Sequence, residues 1–206
     1  KFINEFNIQS DETTIGIIGR LTPVKNHKLF LDSIKHLLEI TQKKVRIFIV
    51  GDGEDRKAIE DYTKQLGISF VNEKNSSNKE IISFTSWRKD IDVIYAGLDI
   101  VCLTSLNEGT PVSLIEAQAS RIPVVTSNVG GIADIVIDQE TGFILDKGNH
   151  EGFAIALKKL IEDEALRKQM GDNGFKNVFE KYSYIRLVSD IRNLYKHILE
   201  SKGEII

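Results

Sequence analysis

Thr14-Ile15-Gly16-Ile17-Ile18-Gly19 runs straight into Arg20-Leu21-Thr22-Pro23-Val24-Lys25-Asn26, and the residues from about His27 to Thr41 follow with a helical period. The first six residues are a short apolar run of the kind that forms a buried strand. In the helical stretch Leu29, Phe30, Ile34, Leu37 and Leu38 fall on one face. Strand, turn and helix then repeat. Val45 to Val50 predicts the second strand, closed by Gly51-Asp52-Gly53, and Glu54 to Leu66 predicts a helix stopped by Gly67.

Beyond this unit the alternation continues. Strands are expected at Ile81 to Phe84, Asp99 to Leu103, Pro123 to Thr126 and Gly142 to Leu145, with helices near Ile91 to Ala96, Pro111 to Ser120 and after Gly130-Gly131. From His150 onward the pattern is purely helical, ending in a tail helix from about Ser183 to Glu200. The segment from Ser69 to Glu80 interrupts the pattern. Its polar run from Asn72 to Lys79 has no periodicity and predicts an exposed, mobile loop. Strands separated by helices imply parallel crossovers, hence an α/β fold with a doubly wound parallel sheet covered by helices on both faces. No repeat or linker divides residues 1–206, so one sizeable domain is expected.

Composition narrows the function. Charged residues make up 28% and apolar ones 41%, as in an ordinary globular protein, and the net charge is −3 without a basic block. Nucleic acid is therefore not expected as a partner, because phosphate-backbone binding needs a concentrated cationic face. The one cysteine, Cys102, lies in an apolar run and reads as a buried structural thiol, which fits a reducing cytoplasm. There is no long apolar span and no signal peptide at Lys1-Phe2-Ile3. The chain starts without methionine, as an excised or trimmed piece would.

In a doubly wound sheet, ligands bind outside the carboxyl ends of the strands, so the loops after the strands carry the information. After the first strand, Arg20 and Lys25 flank a turn into a helix. Two cations beside helix-start amides suit a diphosphate: Arg forks onto two oxygens and Lys supplies a point charge. Two solvated surface cations is the plainer reading. After the Asp99–Leu103 strand comes Thr104-Ser105-Leu106-Asn107-Glu108-Gly109-Thr110-Pro111-Val112-Ser113-Leu114-Ile115-Glu116-Ala117. Pro111 is expected as the first helical residue, leaving the amides of Val112 and Ser113 free for an anion. Glu108 lies just before the helix and Glu116 more than one turn inside it. Each carboxylate can accept hydroxyl hydrogen bonds from a different part of an elongated ligand. For Glu108 the alternative is a helix-dipole partner, and for Glu116 a solvated helix residue. Glu116 sits among small and apolar residues, where a carboxylate should have a partner.

These motifs carry a resemblance. Arg20 and Lys25 in G-R-L-x-P-x-K, and Glu108 and Glu116 in E-G-T-P-x-x-x-x-E-A, are similar to the retaining glycosyltransferases of family 4. The ordered pair of motifs spans about Thr14 to Tyr182. That family has the GT-B architecture of two Rossmann-like domains around a cleft, and the resemblance covers only the C-terminal, donor-binding half. It implies a retaining hexosyltransferase acting on a nucleoside-diphosphate sugar such as a UDP-sugar, in polysaccharide biosynthesis. The N-terminal acceptor domain is missing, so the isolated domain is expected to be inactive. No metal and no cofactor is implied; the nucleotide sugar is a substrate.

By the same resemblance Arg20, Lys25 and Glu108 are the catalytic residues. The donor site comprises Gly19, Arg20, Lys25, Trp87, Arg88, Glu108, Gly109, Thr110, Val112, Ser113 and Glu116. Arg20, Lys25 and the amides near Thr110, Val112 and Ser113 would take the diphosphate, Glu108 the sugar hydroxyls and Glu116 the ribose. Thr85-Ser86-Trp87-Arg88 matches where the family holds the base, mainly through backbone; Trp87 would stack there or simply pack. Gly130-Gly131 either lines the sugar side or is a plain glycine turn. A cytoplasmic location is expected, with any peripheral membrane association made through the missing domain. Two other readings stay open: a non-catalytic nucleotide-sugar-binding module, and half of a nucleotide-sugar epimerase.

Three features are set aside. Gly51-Asp52-Gly53-Glu54 is similar to a dinucleotide fingerprint but lacks a third glycine and follows the wrong strand. Asp90-Ile91-Asp92 is similar to a metal-binding D-x-D but reads as an acidic helix start. His27, His36, His150 and His197 have no nucleophile beside them, and His27 is assigned to a helix surface.

Overall fold

The computed structural model describes residues 1–72 and 80–202. A short helix, α1 (Phe2–Glu5), precedes β1 (Glu12–Ile18); a 3₁₀ turn (Pro23–Lys25) leads to α2 (His27–Ile40), β2 (Lys44–Val50) and α3 (Arg56–Gln65). Then come β3 (Phe70–Asn72), β4 (Ile82–Phe84), α4 (Ile91–Tyr95), β5 (Ile100–Leu103) and α5 (Val112–Ala119). The chain continues through β6 (Val124–Ser127), α6 (Ile132–Ile135), β7 (Gly142–Leu145), α7 (His150–Glu162), α8 (Glu164–Tyr182) and α9 (Tyr184–Ser201).

The seven strands form one sheet in the order β3-β4-β2-β1-β5-β6-β7, every pair parallel. From β1 the chain passes to β2 and the edge strand β3, returns to place β4 between them, then crosses to β5 and builds outward the other way. The switch point therefore lies between β1 and β5, where Ile17 pairs with Cys102. The two loops singled out by sequence leave these two neighbouring strands, which is why residues about 80 positions apart share one edge.

Side chains alternate across the strands, and each set meets its own helical layer. Ile15, Ile17, Ile47, Ile49, Ile100 and Cys102 pack beneath Phe30, Ile34 and Leu37 of α2 and Phe153 and Leu157 of α7. On the opposite face Phe48, Val101, Leu103 and Val124 pack against Ile94, Leu114, Ala117, Ile132 and Ile135. Burial pushes the Cys102 thiol well up, so it stays protonated and unreactive.

Three sequence expectations need correction. Phe70–Asn72 was expected in a polar loop but forms the edge strand β3, paired with β4; Phe70 packs edge-on against Phe84, and three residues are too few to show a period. The rest of that expected loop, residues 73–79, lies outside the described residues. The first residues, given no element, form α1, whose Phe2, with Phe6, makes an aromatic trio with Phe48 at centroid distances of 4.7 to 5.0 Å. Pro111 is the residue before α5, in extended conformation at φ −70 and ψ 106, and the helix begins at Val112.

Helices α7, α8 and α9 each begin on a polar side chain that accepts a backbone amide: Asn149, Asp163 and Ser183. No residue of α9 is buried. Tyr184, Leu187, Val188, Leu194 and Tyr195 are all more than half exposed along this helix. Among the described residues no helix is long and apolar enough to cross a membrane.

Candidate functional site

The loop after β1 is clamped from both sides by backbone contacts. Toward β2, the Leu21 amide donates to the Asp52 carbonyl at 2.9 Å, and the Asp55 amide donates back to Leu21 at 3.0 Å. Gly51 and Gly53 allow this approach. A Cβ on Gly51, which has φ +137, would lie 1.9 Å from the Gly19 carbonyl oxygen, and one on Gly53 would lie 2.3 Å from that of Leu21. The Gly51-Asp52-Gly53 turn thus buttresses the neighbouring loop. Toward β5, the Leu106 amide donates to the Val24 carbonyl at 2.8 Å, and buried Thr104 Oγ1 lies 3.1 Å from the carbonyls of both Lys25 and Asn26. The β5 loop is braced in turn by β6. A Cβ on Gly130 would meet the Glu108 carbonyl oxygen at 1.7 Å, and the Gly131 amide donates to that oxygen at 3.3 Å. The glycine pair is a turn, and it also lies against Glu108 and Gly109.

Within this frame the structure brings Lys25 and Glu108 together. Lys25 Nζ lies 2.6 Å from Glu108 Oε1, and Ser105 Oγ donates to the same oxygen at 2.6 Å. Glu108 is only 12% exposed at its side chain, so this is a largely desolvated pair rather than a surface contact. Arg20 stands apart: it is exposed and has no side-chain partner among the described residues. On the loop after β5, Gly109, Thr110 and Val112 are exposed, and Ser113 is half-buried. As the first two residues of α5, Val112 and Ser113 have amides with no intrahelical acceptor.

Glu116 has the partner its setting demands. The hydroxyl of buried Tyr95 lies 2.9 Å from Glu116 Oε2 and 3.0 Å from the Ser113 carbonyl. Burial, then the adjacent Glu116 charge, pushes the Tyr95 phenol far up.

Trp87 is 63% exposed, on the segment after β4. Its neighbour Arg88 is different. The guanidinium bonds to both oxygens of Glu5 at 2.6 and 3.0 Å and both of Asp90 at 2.8 Å. Hydrogen bonds donated to Asp90 and Glu5 push the Arg88 pKa up, and Arg88 holds the Asp90 carboxyl well below the usual range. Its fork is occupied by these two carboxylates. His27 also needs correction. It is 3% exposed rather than on a helix surface, and its Nδ1 has no hydrogen-bond partner among the described residues. Burial, and secondarily Lys25, lower its pKa to about 4, so it is neutral at physiological pH.

Sequence reasoning missed Ser105, Thr104 and Tyr95 as supporting groups. Ser105 and Thr104 lay in the quoted loop without any local mark; Tyr95 lay in a short apolar helix, where an aromatic reads as core.

The profile of the family "Glycosyl transferases group 1" matches residues 1–177. The chain belongs to that family. One similar protein, the capsular polysaccharide biosynthesis glycosyltransferase CapM of Staphylococcus aureus, is 31% identical over 196 residues, 95% of this chain and 49% of CapM. The UDP-Gal:alpha-D-GlcNAc-diphosphoundecaprenol alpha-1,3-galactosyltransferase of Escherichia coli is 28% identical over 187 residues, covering 90% of this chain and 46% of the enzyme. The chain spans about half the length of the curated relatives it matches. Which half is visible in a solved structure, the C-terminal domain of the group 1 glycosyl transferase LpcC of Francisella tularensis. It is 27% identical, with a TM-score of 0.71 over 84% of this chain and 87% of that domain. HepE of Anabaena, solved with UDP-glucose, shares the fold at 22% identity and a TM-score of 0.77, over 91% of this chain and 50% of its own. The seven-stranded parallel sheet is that of the C-terminal domain of GT-B glycosyltransferases.

Proposed function

We propose that this glycosyl transferase domain holds the donor, a UDP-hexose, and that transfer retains the sugar's anomeric configuration and needs an acceptor domain across the cleft. The carrying observation is the Lys25–Glu108 pair, which joins the two loops that meet at the switch point of the sheet, with the exposed Arg20 on the same loop as Lys25. Arg20, Lys25 and the Val112 and Ser113 amides take the diphosphate, with Gly19, Gly109 and Thr110 letting the backbone come close. Glu108 takes sugar hydroxyls, Glu116 the ribose, and Trp87 with the backbone at Arg88 the base. Preorganised positive groups stabilise the charge that develops on the leaving diphosphate.

The Lys25–Glu108 contact adds a step to donor entry. The diphosphate competes with Glu108 for the ammonium, and a sugar hydroxyl donating to Glu108 compensates for the loss. Family membership, the UDP-glucose complex of HepE, and relatives named for capsule and undecaprenol-linked glycan synthesis support the reading. We extend it to polysaccharide biosynthesis in the cytoplasm, with no transfer by the isolated domain.

Calorimetric titration with UDP, GDP, ADP and their sugar conjugates tests it. UDP and a UDP-hexose are expected to bind, equally well with or without a divalent cation. No heat from any nucleoside diphosphate at millimolar concentration would overturn the donor role.

A further inference from the structure

Tyr95 closes α4 with its ring inside the core, 3% exposed. Its hydroxyl lies between two acceptors on α5, the Glu116 carboxylate and the Ser113 carbonyl one turn earlier. Glu116 is half-buried and has no cationic partner among the described residues. The Tyr95 hydroxyl is the one hydrogen bond its side chain makes there, and it falls on Oε2; Oε1 accepts none. A carboxylate on a flexible side chain pays in rotamer entropy each time it must be ordered by a ligand. One held at a single oxygen by a buried, neutral donor is already ordered and keeps its full negative charge.

We propose that Tyr95 is a positioning residue for Glu116, fixing Oε2 so that Oε1 is presented to the ribose hydroxyls of the donor. This rests on the ribose role proposed above for Glu116. The phenol, with its pKa pushed far up, stays a donor wherever the carboxylate is ionised. Ser113 contributes a second constraint. Its carbonyl shares the one hydroxyl proton with Glu116 Oε2, which sets the hydroxyl against the same helical turn whose free amides are assigned to the diphosphate.

The test compares UDP with 2′,3′-dideoxy-UDP, by calorimetry, on the wild-type chain, Tyr95→Phe, Glu116→Gln and the double variant. The wild type is expected to prefer UDP. Tyr95→Phe should lose roughly fivefold to tenfold of that preference, the net scale of one hydrogen bond, while dideoxy-UDP affinity stays within about twofold. Glu116→Gln should lose the preference too, and adding Tyr95→Phe to it should cost nothing more. A full preference in Tyr95→Phe, when Glu116→Gln has lost it, overturns the Tyr95 role and leaves the Glu116 role standing. A full preference in Glu116→Gln removes Glu116 from the ribose and the proposal with it. Equal weakening of both nucleotides by Tyr95→Phe marks a merely structural tyrosine and overturns the proposal. If Tyr95→Phe does not fold, the wild type answers: with tyrosine carbon-13-labelled at Cζ, the Tyr95 resonance should shift with UDP and hold still with the dideoxy compound. Equal shifts would overturn the proposal.

Discussion

Arg20 and Arg88 both follow a strand at the same edge of the sheet, yet the protein treats them in opposite ways. Arg88 is 10% exposed at its side chain and shares its guanidinium between Glu5 and Asp90, so it staples the N-terminal helix to the segment after β4. Arg20 is exposed and unpaired among the described residues, on a loop whose backbone is fixed from two sides. A cation already satisfied by two carboxylates has little attraction left for a ligand, whereas one on a rigid loop without a partner keeps all of it. Lys25 is intermediate: it is paired, but with a single carboxylate that has its own proposed ligand. Availability, rather than residue type, separates the cation proposed to bind the donor from a structural one.

Acid should break the central region first. His27, behind Lys25, titrates at 6.5 when unfolded and at about 4 when folded. Between those values the unfolded chain takes up a proton that the folded chain refuses, so this stability is complete above pH 6.5 and lost as pH falls toward 4. The loss is about 3 kcal/mol. Urea unfolding at pH 7 and near the lower end should show it, with His27→Gln flattening the dependence relative to wild type. The Arg88 clamp outlasts it, because Asp90 stays ionised to lower pH.

Next in size is Arg88→Ala, which leaves Glu5 and Asp90 without their shared donor. Stability should fall by about 2 kcal/mol, less than for a fully buried pair because Asp90 is partly in water. UDP affinity, measured on the folded fraction, should stay the same. Arg20→Ala should do the reverse. UDP affinity drops about tenfold or more, uridine affinity is unchanged, and stability moves by no more than about 0.5 kcal/mol. Equal loss of UDP and uridine would place Arg20 away from the phosphates. The smallest effect is expected from Glu108→Gln. Freeing Lys25 should tighten UDP by about threefold, while any extra affinity from the attached sugar disappears. Weaker UDP binding would mean that Glu108 holds Lys25 in position rather than competing for it.

Most of the frame was legible in the sequence. The run Thr14–Gly19, the helix starting at His27 and the later strand–helix alternation announced a doubly wound parallel sheet, because burial on both faces needs continuous apolar strands and one-sided helices. Short elements escaped: Phe2–Glu5 and Phe70–Asn72 take their structure from the aromatic side chains they bury, not from any period. His27 was misplaced because the chain bends at Asn26, which adopts a left-handed φ of 49, and turns the first residue of α2 inward.

The sequence by itself determined the alternation of elements, and it singled out the two loops and the residue types proposed here to hold a diphosphate and two sets of hydroxyls. These are local properties, written in periodicity and in motifs a few residues long. Only the tertiary structure decided which charges are paired. Lys25 meets Glu108 across 83 positions, Glu5 meets Arg88 across 83 and Tyr95 meets Glu116 across 21. Pairing is a matter of distance and burial, and those follow from how the strands order and the helices pack, which no local pattern records.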